Sequence, residues 1–163
     1  MSEPIGPISP GSAVTDIMRR RVITLAPELP LGAVANVMRL GRLRSLPVVA
    51  PDDQLVGELS FQDCCREVAE VLRNGPEDDD QLRRRIRDAL DRPVRAVMGE
   101  PRDVIEESIS AAAAVARLRN AVFGHVLVVR EPASDRRLVG LVSEGDLLRR
   151  FALDPERPQI PRA

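Results

Sequence analysis

The chain has 163 residues, 44% hydrophobic and 30% charged, and its 24 basic and 25 acidic residues leave a net charge of −1. That balance gives no electrostatic reason to expect nucleic acid or an anionic membrane as partner, and the composition is that of an ordinary globular protein. No apolar run approaches the roughly 20 residues of a membrane helix, and Met1 to Gly11 lacks the basic start and apolar core of a secretory signal, so a cytoplasmic address is expected.

Residues 1–11 are rich in Pro, Gly and Ser and read as a disordered tail, as do residues 154–163 with Pro155, Pro158 and Pro161. Val14 to Arg20 predicts a short helical turn, and Val22-Ile23-Thr24-Leu25 a short strand. From Glu28 to Leu40 the apolar residues Leu31, Val34, Ala35 and Met38 fall at helical spacing, with Gly41 placed to stop the helix. Leu46 to Ala50 and Leu55 to Leu59 predict a hairpin across the turn residues Pro51-Asp52-Asp53. Ser60 opens a helix that continues from Gln62 to Arg73 and ends at Asn74-Gly75-Pro76. Within it, Cys64 and Cys65 are neighbours without metal-site spacing and read as reduced, partly buried thiols.

Residues 74–93 read as an acidic linker with an inserted helix. Glu77 to Asp80 precede a helix over Gln81 to Leu90, whose Leu82, Ile86 and Leu90 form a narrow apolar stripe. That stripe either covers a sheet edge or meets another chain, and Arg83, Arg84, Arg85 and Arg87 read as a solvated face. The first order then returns: a turn at Val94 to Met98, a strand at Val104-Ile105, and a helix over Ile109 to Asn120. Strands at Val126 to Val129 and Leu138 to Val142 and a last helix from Glu144 to Phe151 complete it.

The elements recur because the sequence does. Val14, Met18, Leu31 and Val48 reappear eighty residues later as Val94, Met98, Ala111 and Val128. A turn three residues longer then brings Gly57-Glu58-Leu59-Ser60-Phe61-Gln62-Asp63 onto Gly140-Leu141-Val142-Ser143-Glu144-Gly145-Asp146. Each copy alone would leave one apolar sheet face bare, so a single pseudo-symmetric domain is expected rather than two independent ones.

The chemistry sits where each copy ends. Ser60 and Ser143 follow an apolar strand and precede a helix, with Asp63 and Asp146 three residues on. One reading is local: the Ser oxygen caps a free backbone amide and the Asp returns the favour in a capping box. The other is a binding site. A helix N-terminus with an ionised carboxylate beside a hydroxyl suits the two hydroxyls of a ribose, and its occurrence twice suggests two equivalent nucleoside pockets.

With its other motifs the chain resembles a tandem pair of cystathionine-β-synthase (CBS) domains, the Bateman module. These are Val14-Thr15-Asp16-Ile17-Met18 with Val22-Ile23-Thr24-Leu25-Ala26-Pro27, Arg44-Ser45-Leu46-Pro47-Val48-Val49, and the Gly57 to Asp63 run. The second copy has Val94-Arg95-Ala96-Val97-Met98, Gly124-His125-Val126-Leu127-Val128-Val129 and the Gly140 to Asp146 run. On this resemblance the first motif with its extended helix spans 12–73 and the second 94–153. It implies an α/β (α+β) fold of two pseudo-symmetric β-α-β-β-α CBS units packed through their sheets, with two clefts between them. It also implies a stand-alone regulatory module that binds AMP, ADP, ATP or S-adenosylmethionine, requires no cofactor, and forms a disc-like homodimer through the helices at 94–98 and 144–151 and their first-copy equivalents. By analogy Ser60 with Asp63, and Ser143 with Asp146, hold ribose; Thr24, Pro47, Val104 and Leu127 border the base; Arg44 and His125 face phosphate.

The second copy departs from the pattern in Leu127, where Pro is expected, and in Val104-Ile105-Glu106-Glu107, whose carboxylates oppose a phosphate unless they point away. His125, the single histidine, is equally a strand-edge residue, and no partner supports a metal or general-base role for it. No Ser-His-Asp order or phosphate-cradling Gly loop is evident, so the sequence points away from an enzyme. The rival to nucleotide sensing is a ligand-free scaffold that docks an unidentified enzyme or transporter.

Overall fold

A computed structural model describes residues 11–75, 78–130 and 136–152, so most of both expected tails lies outside the described residues. The first copy's helical spacing forms α1 (Leu31–Gly41), which buries Leu31, Val34 and Met38. Its stop differs from expectation. Gly41 is still helical, and it is Arg42 that takes the left-handed backbone, at φ 52°, while the Leu43 N–H closes the end on the Met38 carbonyl at 2.9 Å.

β1 (Ser45–Val49) and β2 (Leu55–Ser60) pair antiparallel, with Leu46 opposite Leu59 and Pro47 opposite Glu58. α2 (Phe61–Asn74) follows without a break, and the inserted α3 (Asp79–Asp91) packs against α1 and α2. The stripe on α3 therefore covers helices: Ala89 is buried, and Leu90 lies so near Gly32 that an added Cβ there would stand 3.1 Å from the Leu90 Cβ. The second copy gives β3 (Val104–Glu106), α4 (Ala111–Leu118), β4 (His125–Val129), β5 (Leu138–Ser143) and α5 (Glu144–Ala152), with sheet order β3-β4-β5.

The expected first strand of each copy has two fates, and prolines decide between them. Leu25 makes a single parallel bridge to Val48, donating to the Pro47 carbonyl and accepting from the Val49 N–H, both at 2.9 Å. The next bonds in either direction would need N–H groups from Pro47 and Pro27, which have none. In the second copy Leu127 and Glu107 stand at those positions. Leu127 donates to Asp103 at 2.8 Å and Glu107 to Val129 at 2.9 Å, so β3 forms over three residues.

The chain divides into two compact units, and each draws on both copies. Unit 1, with described residues 11–22, 103–130 and 139–152, holds the body of the second copy and the leading turn Val14–Asp16 of the first. The Val14 N–H donates to the Ile109 carbonyl at 3.0 Å and the Ala111 N–H to the Ser12 carbonyl at 2.8 Å. Val14 is fully buried, in a core with Ile105, Ala114, Val128 and Val142.

Unit 2, with described residues 23–75, 78–102 and 136–138, mirrors this with the turn Val94–Ala96. Val94 donates to Leu29 and Leu31 to Arg92, both at 2.9 Å, and Val94 is buried with Leu31, Met38, Val48 and Leu59. Glycine makes room for each exchange. A Cβ on Gly57 would stand 2.4 Å from the Met98 sulfur, and one on Gly140 at 2.4 Å from the Met18 sulfur.

Candidate functional site

Alternation along the strands sorts the candidate residues onto one face in each unit. In unit 2, Leu46, Val48 and Leu59 turn into the core, so Ser45 and Pro47 share the opposite face with Ser60 and Glu58 across the ladder. Thr24 precedes the bridged Leu25 and belongs to that same face; it is exposed, whereas Pro47 is buried. In unit 1, Ile105, Val126, Val128 and Val142 enter the core, leaving Val104 opposite Leu127 on the other face with His125 and Ser143. Each set of five candidates thus falls within a single unit.

Both Ser-Asp pairs form the local structure that their spacing allows. Ser60 Oγ donates to Asp63 Oδ2 at 2.5 Å and accepts from the Asp63 N–H at 3.1 Å, while the Ser60 N–H donates to Oδ2 at 3.1 Å. Ser143 Oγ donates to Asp146 Oδ2 at 2.6 Å and accepts from the Asp146 N–H at 3.1 Å. Capping fixes each carboxylate without exhausting it, since two oxygens offer about four lone-pair sites. The Asp63 and Asp146 side chains keep 18% and 14% of their surface open, and each meets an arginine. Arg66, one turn along α2, reaches Asp63 Oδ1 at 3.0 Å; Arg19, from outside α5, reaches Asp146 Oδ2 at 3.3 Å.

Charge around the two corners is arranged differently. Arg44 lies before β1, where its carbonyl accepts from the Phe61 N–H at 2.9 Å; the residue that does this in unit 1, accepting from Glu144 at 3.1 Å, is Gly124. His125 is therefore the counterpart of Ser45, not of Arg44. Its ring stacks on Phe123 with centroids 6.2 Å apart, and it is half-buried at the start of β4. Glu107 lies 4.0 Å from Arg130, and Glu106 is half-buried.

Glu58 was not singled out by sequence reasoning. Only 4% exposed, its carboxylate accepts from Ser45 Oγ at 2.8 Å and from the Arg102 N–H at 3.2 Å, beside Pro47. The signal was the alignment of the copies, which sets this charged residue against the apolar Leu141. Next to Asp63, Cys64 is buried and Cys65 exposed, both free. Burial, reinforced electrostatically by the neighbouring Cys65 and Asp63, pushes the Cys64 thiol from its ordinary 9.0 up to about 11. Among the described residues no group of three or more His, Cys, Asp or Glu could hold a metal ion, and no helix is long and apolar enough to cross a membrane.

A model of the CBS domain matches residues 14–70 and 94–153. No curated protein matches the chain. Among solved structures, the fold is similar to MJ1225 of Methanocaldococcus jannaschii, described as a putative archaeal homologue of g-AMPK, at 23% identity and a TM-score of 0.66 over 88% of this chain. The match takes in 49% of MJ1225, so the chain spans about half of that protein. CBSX2 of Arabidopsis thaliana in complex with AMP matches at 22% identity and a TM-score of 0.64, over 90% of this chain and 100% of its own. A putative acetoin utilization protein (AcuB) of Vibrio cholerae matches at 18% identity and 0.66, over 90% and 98%.

Proposed function

The chain belongs to the CBS-domain family, and from that premise we propose that it is a regulatory module for an adenosine-containing ligand: AMP, ADP, ATP or S-adenosylmethionine. What carries the reading is the duplicated corner: a carboxylate fixed by a serine at a helix start, partly open, at the end of a sheet strand, once in each unit. CBSX2, of like fold, has been solved with AMP, which supports the choice of ligand class.

In this proposal Asp63 with Ser60 and Asp146 with Ser143 take the ribose hydroxyls. Thr24 and Pro47, and Val104 and Leu127, border the two bases, while Arg44 and His125 face phosphate. A ligand that prefers one packing of the chain shifts its population, and that shift is the signal; no bond is made or broken. Assembly belongs to the same proposal, a homodimer through helices that include α5 and α2, whose Leu148 and Leu72 are exposed. The address is cytoplasmic, where two free thiols persist.

Isothermal titration with AMP, ATP and S-adenosylmethionine tests the ligand. Heat with at least one, abolished in an Asp63→Ala, Asp146→Ala double variant, is the expected result; none at millimolar ligand overturns it. The completed capping box at Ser60 and the serine cap at Ser143 favour a second reading, a docking module that uses these same atoms for structure alone. It would hold if no ligand bound and the double variant still captured a partner enzyme or transporter.

A further inference from the structure

One backbone device occurs in both units and carries different side chains. Arg19 pairs with Leu141 in both directions, at 2.8 and 3.0 Å, and Gly99 pairs with Glu58 in the same way, at 2.9 and 3.0 Å. These residues are equivalent in the two copies, so the segment leading into each first strand is pinned beside the last strand of the opposite copy. In unit 2 that pinned residue has no side chain. In unit 1 it is an arginine, whose guanidinium reaches the Asp146 carboxylate at 3.3 Å.

The strand before each corner shows the opposite pattern. Unit 2 has Arg44 there, and unit 1 has Gly124. Arg44 is exposed, and its side chain makes no ion pair among the described residues. The unit 2 corner thus has Arg44 before its strand and Arg66 on Asp63, whereas the arginine described at the unit 1 corner is Arg19, from a different place in the fold.

We infer that Arg19 reads phosphate in unit 1 alongside His125, standing in for the pre-strand arginine that this copy lacks. The inference rests on the nucleotide reading above and adds to it a residue and a ligand preference. A guanidinium has five N–H donors and never loses its charge, so one edge can hold a carboxylate while the rest faces an anion. Asp146 in turn orients it, and the two-way backbone bridge fixes where the side chain starts. Among the described residues, Arg19 is the cation that pairs with the Asp146 carboxylate. The ligand class is then a phosphorylated nucleoside rather than a free one.

The test separates charge reading from simple support of Asp146. In an Asp63→Asn background, which removes the unit 2 ribose contact, AMP and adenosine are titrated onto the remaining site. Arg19→Ala is expected to weaken AMP by about tenfold, the scale of one charge-assisted contact, and to leave adenosine within about twofold. Arg19→Lys, which keeps the charge but not the fork, falls between. Unchanged AMP affinity, or equal loss for both ligands in a protein with the circular dichroism of the parent, overturns the inference. So does loss of all AMP binding in the Asp63→Asn background when the unsubstituted chain still binds. Failure of the unsubstituted chain to bind AMP or any other adenosine ligand removes the nucleotide reading itself, a separate outcome.

Discussion

Cys64 and Cys65 share a helix and little else, which makes them a sensitive probe of the corner beside them. Cys65 is exposed and should react with a thiol reagent in the native protein, while Cys64 should react only on unfolding; two reactive thiols per native chain would contradict the packing. The raised Cys64 value also has a thermodynamic sign. Between pH 9 and 11 the unfolded thiol ionises and the folded one does not, so its contribution is complete below pH 9 and is lost as pH rises. The chain contains no Lys and no Tyr, so little else titrates there. The urea midpoint should fall between pH 8.5 and 10.5 by the equivalent of about 1–3 kcal/mol, and a Cys64→Ala variant should lose most of that slope. At this scale the Ser-Asp pairs could be read from spacing alone. Glu58 could not: its place in a strand gives no warning of burial, and bonds such as those from Ser45 and the Arg102 amide explain why it is tolerated.

Hairpins and long helices were legible because periodicity reports burial directly. The first strand was not, because its length depends on two N–H groups, one just beyond it and one some twenty positions away. Pro47 and Pro27 reduce it to one bridge, and Leu127 and Glu107 restore it in the second copy. Close approach between elements is the other feature that single-sequence patterns miss. Gly57 and Gly140 sit in β2 and β5 with a methionine sulfur and a backbone carbonyl against them, Gly99 at 3.1 Å and Arg19 at 3.2 Å from an added Cβ. The methionine can move aside, but a carbonyl held in a two-way bridge cannot. Gly57→Ala should cost about 1–3 kcal/mol in chemical denaturation. Combined with Met98→Ala it should cost less than the two single changes added, because shortening the methionine removes part of the clash. Strict additivity would show that the contact is not the cause. Gly140→Ala with Met18→Ala should behave the same way.

Across the whole molecule, the repeat predicted how many times the pattern occurs but not which segment completes which core. Read linearly, Val14 belongs with Leu31 and Val94 with Ala111; in three dimensions Val14 caps the second copy's helix and Val94 the first's. Identical hydrophobic patterns cannot distinguish those pairings, because either would bury the same residues. A chain divided between α2 and α3 should therefore yield two fragments that lack cooperative unfolding when separate and recover it when coexpressed. Two independently folded fragments would argue against the exchange. The arrangement also bears on ancestry. A gene encoding just one copy would make a protein with an unfilled seat for the missing turn, stable only once a twin lent its own; fusion of two such genes would have turned a loan between strangers into a permanent tie within one polypeptide.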